Sequence, residues 1–235
     1  DWLSCVLADK VILDTNEHIK YFIETFGIKK EKFARVFVGT DIQVFYPRKV
    51  ISHNGFQVGF HGSYLPLQGV DIIIEAARIL QNNKNIKFKL LGKGMERKKI
   101  EKLLIKYQLT NVQFLDPIPY EKLPGFISSC DIYLGGPFGD NIKSRLVIPN
   151  KVYEAMACKK PVIVGESNAT RELFIQKQHC IFIKQGNEMQ LAKAITLLKN
   201  NKLLSEKIAS EGYNLVVSKF NPKRIVANFI HELNF

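Results

Sequence analysis

The sequence predicts an α/β protein whose main part is a doubly wound, parallel, Rossmann-like sheet. Short apolar segments typical of strands alternate with amphipathic segments typical of helices through most of the 235 residues. Each parallel pair of strands requires a crossover, and a helix between consecutive strands supplies it. Right-handed crossovers then place helices on both faces of the sheet. Strands are expected at residues 56–60, 86–91, 112–115, 131–134, 161–164 and 180–183.

The connecting helices follow from apolar residues that recur three and four positions apart. The clearest case is the run that starts after Gly69, where Val70, Ile73, Ile74 and Ala77 share one face. Together the strands and helices form one predicted domain over residues 51–215. Helices are expected at residues 70–81, 95–107, 120–129, 149–158, 170–174 and 188–200.

The two ends of the chain do not belong to that domain. Residues 1–50 contain a strand at 9–13, a helix at 15–26 that ends at Gly27, and a strand at 35–38. This order is expected for the tail of a second α/β domain and a linker, with more chain in front of Asp1. A helix at 203–219 completes the main domain, and residues 216–235 are predicted to carry a crossover helix that returns toward the second domain.

Composition indicates a folded, basic protein with anionic partners. Apolar residues make up 46% and charged residues 24% of the chain, which excludes disordered and collagenous proteins. The net charge of +12 favours phosphates or an anionic membrane surface, although a solvated lysine-rich surface also explains it. Nucleic acid is not expected, because the basic residues are scattered. Cysteines without C-x-x-C spacing predict a reducing, cytoplasmic location, with peripheral contact on the inner face of the membrane as a further expectation.

Two loops at predicted strand ends carry candidate binding residues, since ligands of open parallel sheets bind at the carboxyl ends of strands. The first runs from His61, Gly62 and Ser63 to Gln68, and its glycine lets the backbone approach a ligand closely. The second begins at Gly92. Neither contains the complete G-x-G-x-x-G of dinucleotide-binding proteins, so plain turns remain the alternative for both.

A third, glycine-rich loop after the 131–134 strand leads into a helix started by proline. Lys143, Arg145 and Lys151, with the positive end of that helix, form a candidate diphosphate site. Glu154 lies one turn after Lys151 and is a candidate acceptor of ribose hydroxyls. The alternative is a solvated Lys151–Glu154 pair within the helix.

With these features the sequence resembles glycosyltransferase family 4, the group 1 transferases of the GT-B fold, over nearly the whole chain. The segment 149–163, which reads PNKVYEAMACKKPVI, carries the most specific match, and the segments 60–71 and 89–94 carry weaker ones. The resemblance implies that Glu154 takes the place of the second glutamate of an E-x7-E motif, used on the nucleotide ribose. It also implies that Glu172 corresponds to a position near the donor.

Two departures from the family pattern concern the diphosphate. Leu146 stands where the first motif glutamate is expected, and the phosphate loop has Ser63 and Gln68 where family members carry Arg and Lys. Lys143 and Arg145 are therefore expected to replace those cations.

The resemblance implies a retaining, metal-independent transfer of a sugar from a nucleotide diphosphate donor, with no cofactor. The acceptor would be a glycan, a lipid-linked glycan or a surface polysaccharide. This chain would be mainly the donor-binding half, inactive alone, with catalytic residues expected partly on the missing N-terminal domain. A nucleotide-sugar epimerase or a phosphorylase of the same architecture remains an alternative, as does a non-catalytic basic binding module.

Overall fold

The computed structural model of the chain describes residues 1–49 and 53–233. Its centre is a six-stranded parallel sheet with the strand order β5-β4-β3-β6-β7-β8. The order runs outward in both directions from β3 and β6, which is the doubly wound topology that the sequence predicts. The strands of this sheet are β3 (Phe56–His61), β4 (Ile86–Leu91), β5 (Val112–Leu115), β6 (Ile132–Gly136), β7 (Val162–Glu166) and β8 (Ile181–Lys184).

Helices cover both faces of the sheet and match most of the expected positions within a few residues. Two differences concern the ends of the expected segments: the 120–129 helix begins as a 3₁₀ turn, and the short helix expected at 170–174 lies at Asn168–Arg171. The helices of this domain are α3 (Val70–Ile79), α4 (Arg97–Lys106), α5 (Leu123–Ser128), α6 (Ile142–Leu146), α7 (Asn150–Ala157), α8 (Asn168–Arg171), α9 (Glu188–Asn200) and α10 (Lys202–Lys219).

Two apolar cores lie on the two faces of the sheet, because alternate residues of a strand point to opposite faces. On β6, Ile132 and Leu134 pack into one core, whereas Tyr133 packs into the other. The first core also contains Ile73 and Ile74 of α3. The second contains Val152 and Met156 of α7, so α7 is fixed against the sheet by its apolar face.

The N-terminal residues form a small separate layer that is attached to the main domain. It contains α1 (Trp2–Leu7), β1 (Val11–Leu13), α2 (Asn16–Phe26) and β2 (Phe33–Arg35), and β1 pairs with β2 in parallel. The second strand therefore lies earlier than the expected 35–38, and α1 was not expected. Thr15 Oγ1 donates a buried hydrogen bond to the carbonyl oxygen of Leu146, which joins this layer to α6.

The last helix, α11 (Pro222–Leu233), packs against β2 of the N-terminal layer. The amide of Thr40 also donates to the carbonyl oxygen of Phe220, 3.1 Å away. The expected domain boundary at residues 50 and 51 lies outside the described residues, and that at 215 and 216 falls inside α10. Among the described helices, none is both long and apolar enough to span a bilayer.

Candidate functional site

A cavity of about 490 Å³ lies at the carboxyl end of β3, beside the point where the strand order reverses. In open parallel sheets this is the place where ligands bind. Three parts of the chain meet there: the loop after β3, the segment that leads into α7, and the N-terminal layer. The lining residues are Asp14, Val38, His61, Gly62, Ser63, Leu67, Gln68, Val147, Ile148, Pro149, Asn150, Lys151 and Glu154.

Glycines let the two predicted binding loops pack against each other. Gly62 has φ +146° and Gly92 has φ +136°, a region that side-chain-bearing residues rarely adopt. A Cβ atom on Gly62 would lie 3.1 Å from Nζ of Lys151, and one on Gly92 would lie 2.0 Å from the carbonyl oxygen of Gly62. The absence of a side chain at Gly62 therefore leaves room for the side chain of Lys151. The absence of one at Gly92 lets its backbone contact the backbone of the loop after β3 at Gly62.

Lys151 lies in the first turn of α7 and is only 5% exposed. Its ammonium group donates a hydrogen bond to Oε1 of Gln68 and lies 4.9 Å from the centre of the Phe60 ring. Within the described ranges, no carboxylate oxygen lies within 4.0 Å of this ammonium group. Burial lowers the pKa of Lys151 to about 8, and the nearby charge of Glu154 opposes that effect.

Glu154 lies one turn after Lys151 on the same helix and is 8% exposed. Its Oε2 atom is 2.9 Å from Nε2 of His61. The two atoms are close enough for an ion pair, but Oε2 forms no hydrogen bond within the described residues and is left free to accept one. Nδ1 of His61 lies 2.5 Å from the hydroxyl oxygen of Tyr133. Burial lowers the pKa of His61 and so favours the neutral ring, while the nearby charge of Glu154 opposes that effect.

Lys143 and Arg145, which were expected to replace the missing loop cations, do not line this cavity. Both belong to α6, a short helix inside the glycine-rich loop that begins with a capping box between Asn141 and Ser144. Arg145 forms an ion pair with Asp140 and lines a second cavity of about 600 Å³ beneath α2. Lys143 is exposed and lines neither cavity.

Glu172 also lies outside the cavity. Its two carboxylate oxygens accept hydrogen bonds from the amides of Asn16 (3.0 Å) and Glu17 (3.1 Å), and Oε2 lies 3.5 Å from Nη1 of Arg35. These amides form the first turn of α2, whose positive end favours a carboxylate. In this structure Glu172 attaches α2 to the main domain. The family resemblance implies a position near the donor, but Glu172 does not line the cavity.

Two residues near the site could not be identified from the sequence. Asp14 follows β1 and reaches the cavity from the N-terminal layer, where its Oδ1 lies 2.9 Å from Nδ1 of His18. Tyr133 lies in a continuous apolar strand and has the sequence signature of a core residue. A buried tyrosine needs a hydrogen-bond partner for its hydroxyl, which was the one available signal.

A family model described as "Glycosyl transferases group 1" matches residues 42–215 of the chain. Over 160 residues the chain is 29% identical to an uncharacterized glycosyltransferase of Methanocaldococcus jannaschii, covering 65% of this chain and 41% of that protein. It is also 24% identical to a poly(ribitol-phosphate) alpha-N-acetylglucosaminyltransferase of Staphylococcus aureus over 184 residues, covering 75% of this chain and 35% of that enzyme. The chain therefore spans less than half the length of these two curated relatives.

Solved glycosyltransferase structures share the fold of the chain. HepE of Anabaena, crystallised with UDP, superimposes with a TM-score of 0.83 at 20% identity, covering 99% of this chain and 65% of HepE. TarM of S. aureus superimposes with a TM-score of 0.80 at 18% identity, covering all of this chain and 45% of TarM. These likenesses identify the parallel α/β architecture as that of the GT-B transferases. Since the family model extends from before β3 into α10, this chain belongs to the group 1 glycosyltransferases.

Proposed function

We propose that the chain is the donor-binding half of a retaining glycosyltransferase, and that the cavity beside β3 binds the nucleotide diphosphate of a sugar donor. The whole protein would move a hexose from that donor to a glycan, a lipid-linked glycan or a surface polysaccharide. The reaction would need neither a bound metal nor a cofactor, with catalytic groups supplied partly by an N-terminal domain in front of this chain.

The buried ammonium group of Lys151 carries this proposal. A buried charge is costly unless a counter-charge or several hydrogen bonds compensate it. Lys151 has three N–H donors, but only the neutral amide of Gln68 accepts from it within the described residues. The remaining donors and the charge suit an anionic ligand in the cavity. The N-terminus of α7, which lines the same cavity, adds partial positive charge.

Gln68 occupies the position of the expected loop lysine and binds a lysine from elsewhere in the chain. The family resemblance places a lysine at this position, and here the glutamine side chain holds Lys151 at the same loop. One cation is thus delivered to the phosphate loop from α7 instead of from the loop itself. A cation fixed in this way can stabilise the charge that develops on a leaving diphosphate.

Glu154 is proposed to accept the hydroxyl groups of the ribose next to that diphosphate. It is one helical turn from Lys151 and lines the same cavity, so a nucleotide could contact both side chains. Structures of HepE have been determined with UDP and with UDP-glucose, and one of TarM with UDP, fondaparinux and alpha-GlcNAc-glycerol. These relatives support a nucleotide-sugar donor and a glycan acceptor for the present chain.

The proposed peripheral membrane contact is supported by the outer face of α4. Lys98, Lys102 and Lys106 are exposed there, and within the described residues no carboxylate lies within 4.0 Å of their ammonium groups. Met95 and Ile105, each 75% exposed, project beside them. Such a face suits an anionic bilayer, which would present a lipid-linked acceptor on the cytoplasmic side.

Vesicle sedimentation tests this contact. We expect binding to phosphatidylglycerol vesicles to fall several-fold in a Lys98→Glu/Lys102→Glu variant. It should persist in the matched variant Lys193→Glu/Lys207→Glu, whose lysines are exposed on α9 and α10. Equal loss in both variants would indicate nonspecific attraction by the net charge.

A thermal-shift screen of nucleoside diphosphates and their sugars tests donor binding. A specific ligand at 100 times its dissociation constant should stabilise the chain by about 2.7 kcal/mol, and stabilisation should persist in 0.5 M salt. Stabilisation by inorganic polyphosphate alone, lost in salt, would favour the basic binding module instead.

With a labelled donor we expect no transfer by this chain alone. Conversion of the donor sugar without an acceptor would identify an epimerase.

A further inference from the structure

Three side chains form a connected row from the core to the cavity. Tyr133 is fully buried on β6, and its hydroxyl oxygen lies 2.5 Å from Nδ1 of His61 at the end of β3. Nε2 on the other side of the His61 ring lies 2.9 Å from Oε2 of Glu154 on α7. The row thus joins the two central strands of the sheet to the helix that carries the candidate ribose ligand.

The protonation states along this row follow from burial. Burial raises the pKa of Tyr133 well above its ordinary value, so the phenol keeps its proton and must donate it. Nδ1 of His61 is the acceptor within reach. Since burial lowers the pKa of His61, the neutral ring carries its single proton on Nε2, which faces the Glu154 carboxylate.

This arrangement leaves His61 no role as a base toward substrate. One ring nitrogen accepts from Tyr133, and the other lies 2.9 Å from Oε2 of Glu154. The tyrosine therefore determines which nitrogen of His61 carries the proton, and the histidine determines where the carboxylate lies. Without the phenol, the imidazole proton could reside on either nitrogen, and a lone pair on Nε2 would repel Oε2.

We propose that Tyr133 and His61 are positioning residues that hold Glu154 ready to accept the 2′ and 3′ hydroxyls of a bound nucleotide. This inference rests on the proposed donor site. Tyr133 is buried like a core residue, but in this proposal it affects the recognition of the ribose. A role in packing alone would affect all parts of the ligand equally.

The test compares a ribonucleotide with its dideoxy counterpart. Dissociation constants are measured by calorimetry for UDP, GDP, ADP and CDP, and then for the 2′,3′-dideoxy form of the tightest binder. The variant Tyr133→Phe removes only the hydroxyl and keeps the ring in the core. The matched control is Tyr153→Phe on α7, since Tyr153 is also buried (1% exposed) but packs against Phe174 and Phe220 instead of His61.

We expect Tyr133→Phe to weaken binding of the ribonucleotide by about threefold to tenfold, the effect of one hydrogen bond, and to leave binding of the dideoxy form unchanged. Tyr153→Phe should change neither. Equal losses for both ligands, or no loss for either, would overturn the positioning role. If the wild-type chain bound the two forms equally, the ribose role of Glu154 and this inference would both fail, while diphosphate binding would stand. Failure to bind any of the four nucleotides would overturn the proposed function itself.

Discussion

At the scale of single residues, the buried charge of Lys151 lowers the stability of the unliganded fold and is proposed to bind the donor diphosphate. Its ammonium group is buried, and the one hydrogen bond that it makes within the described residues goes to the neutral side chain of Gln68. The folded protein therefore disfavours the charged form relative to the unfolded chain, where the lysine is solvated. An unliganded site of this kind lowers stability, and an anionic ligand restores it.

The variant Lys151→Met should make the unliganded chain more stable at pH 7, by about 1–3 kcal/mol. The pKa of Lys151 is about 8 in the folded state and 10.5 in its ordinary range, so the full penalty applies below pH 8. As pH rises from 8 toward 10.5 the folded chain loses this charge first, and the advantage of the variant should shrink. Urea unfolding at pH 7 and pH 9.5 measures the difference. The exposed Lys193→Met serves as control, and an equally stable or destabilised Lys151→Met at pH 7 would contradict the assignment.

At the scale of elements, the carboxylate of Glu172 caps the N-terminus of α2 and is one of several contacts that join α2 to the main domain. Glu172 accepts hydrogen bonds from the first-turn amides of α2 and lies near Arg35, while Thr15 binds the carbonyl oxygen of Leu146. Since Asp14 comes directly before Thr15, the N-cap residue of α2, and lines the cavity, this contact also positions one wall of the site.

We expect Glu172→Ala to loosen α2 without unfolding the sheet. Loss of a charged cap at a helix N-terminus costs about 1 kcal/mol, so amides of residues 16–26 should exchange with deuterium about fivefold to tenfold faster. Hydrogen exchange followed by mass spectrometry measures this. Glu188→Ala, a first-turn substitution on α9, should leave α2 unaffected. Unchanged protection of α2 in Glu172→Ala would contradict the role of this carboxylate.

At the scale of the whole molecule, the sheet could be predicted because local patterns determine it. Apolar strands such as Ile86–Leu91 and amphipathic helices such as Val70–Ile79 alternate, and parallel topology follows from that order. Lys151 and Glu154 could be assigned to one site because they are three residues apart on one helix. The contact between Lys151 and Gln68 could not, since it joins residues 83 positions apart.

The features of the structure that the sequence did not predict have local physical causes. The glycine-rich loop conceals α6, because a five-residue helix gives little periodicity and its capping box at Asn141 uses ordinary loop residues. Arg145 resembled a phosphate ligand because charge alone does not show that Asp140 is its partner. Tyr133 has the sequence pattern of an apolar core residue, because the partner of its hydroxyl group, His61, lies on another strand.

The claim that Lys151 is the cation for the donor diphosphate is tested most directly by moving that charge. Calorimetric titration at pH 7 with the nucleoside diphosphate that binds the wild-type chain should show a loss of about tenfold to a hundredfold in Lys151→Gln. Much of that loss should be recovered in Gln68→Lys/Lys151→Gln, which returns an ammonium group to the same loop. Arg145→Ala should bind like the wild-type chain. Unchanged affinity in Lys151→Gln, or a large loss in Arg145→Ala without one in Lys151→Gln, would contradict this account.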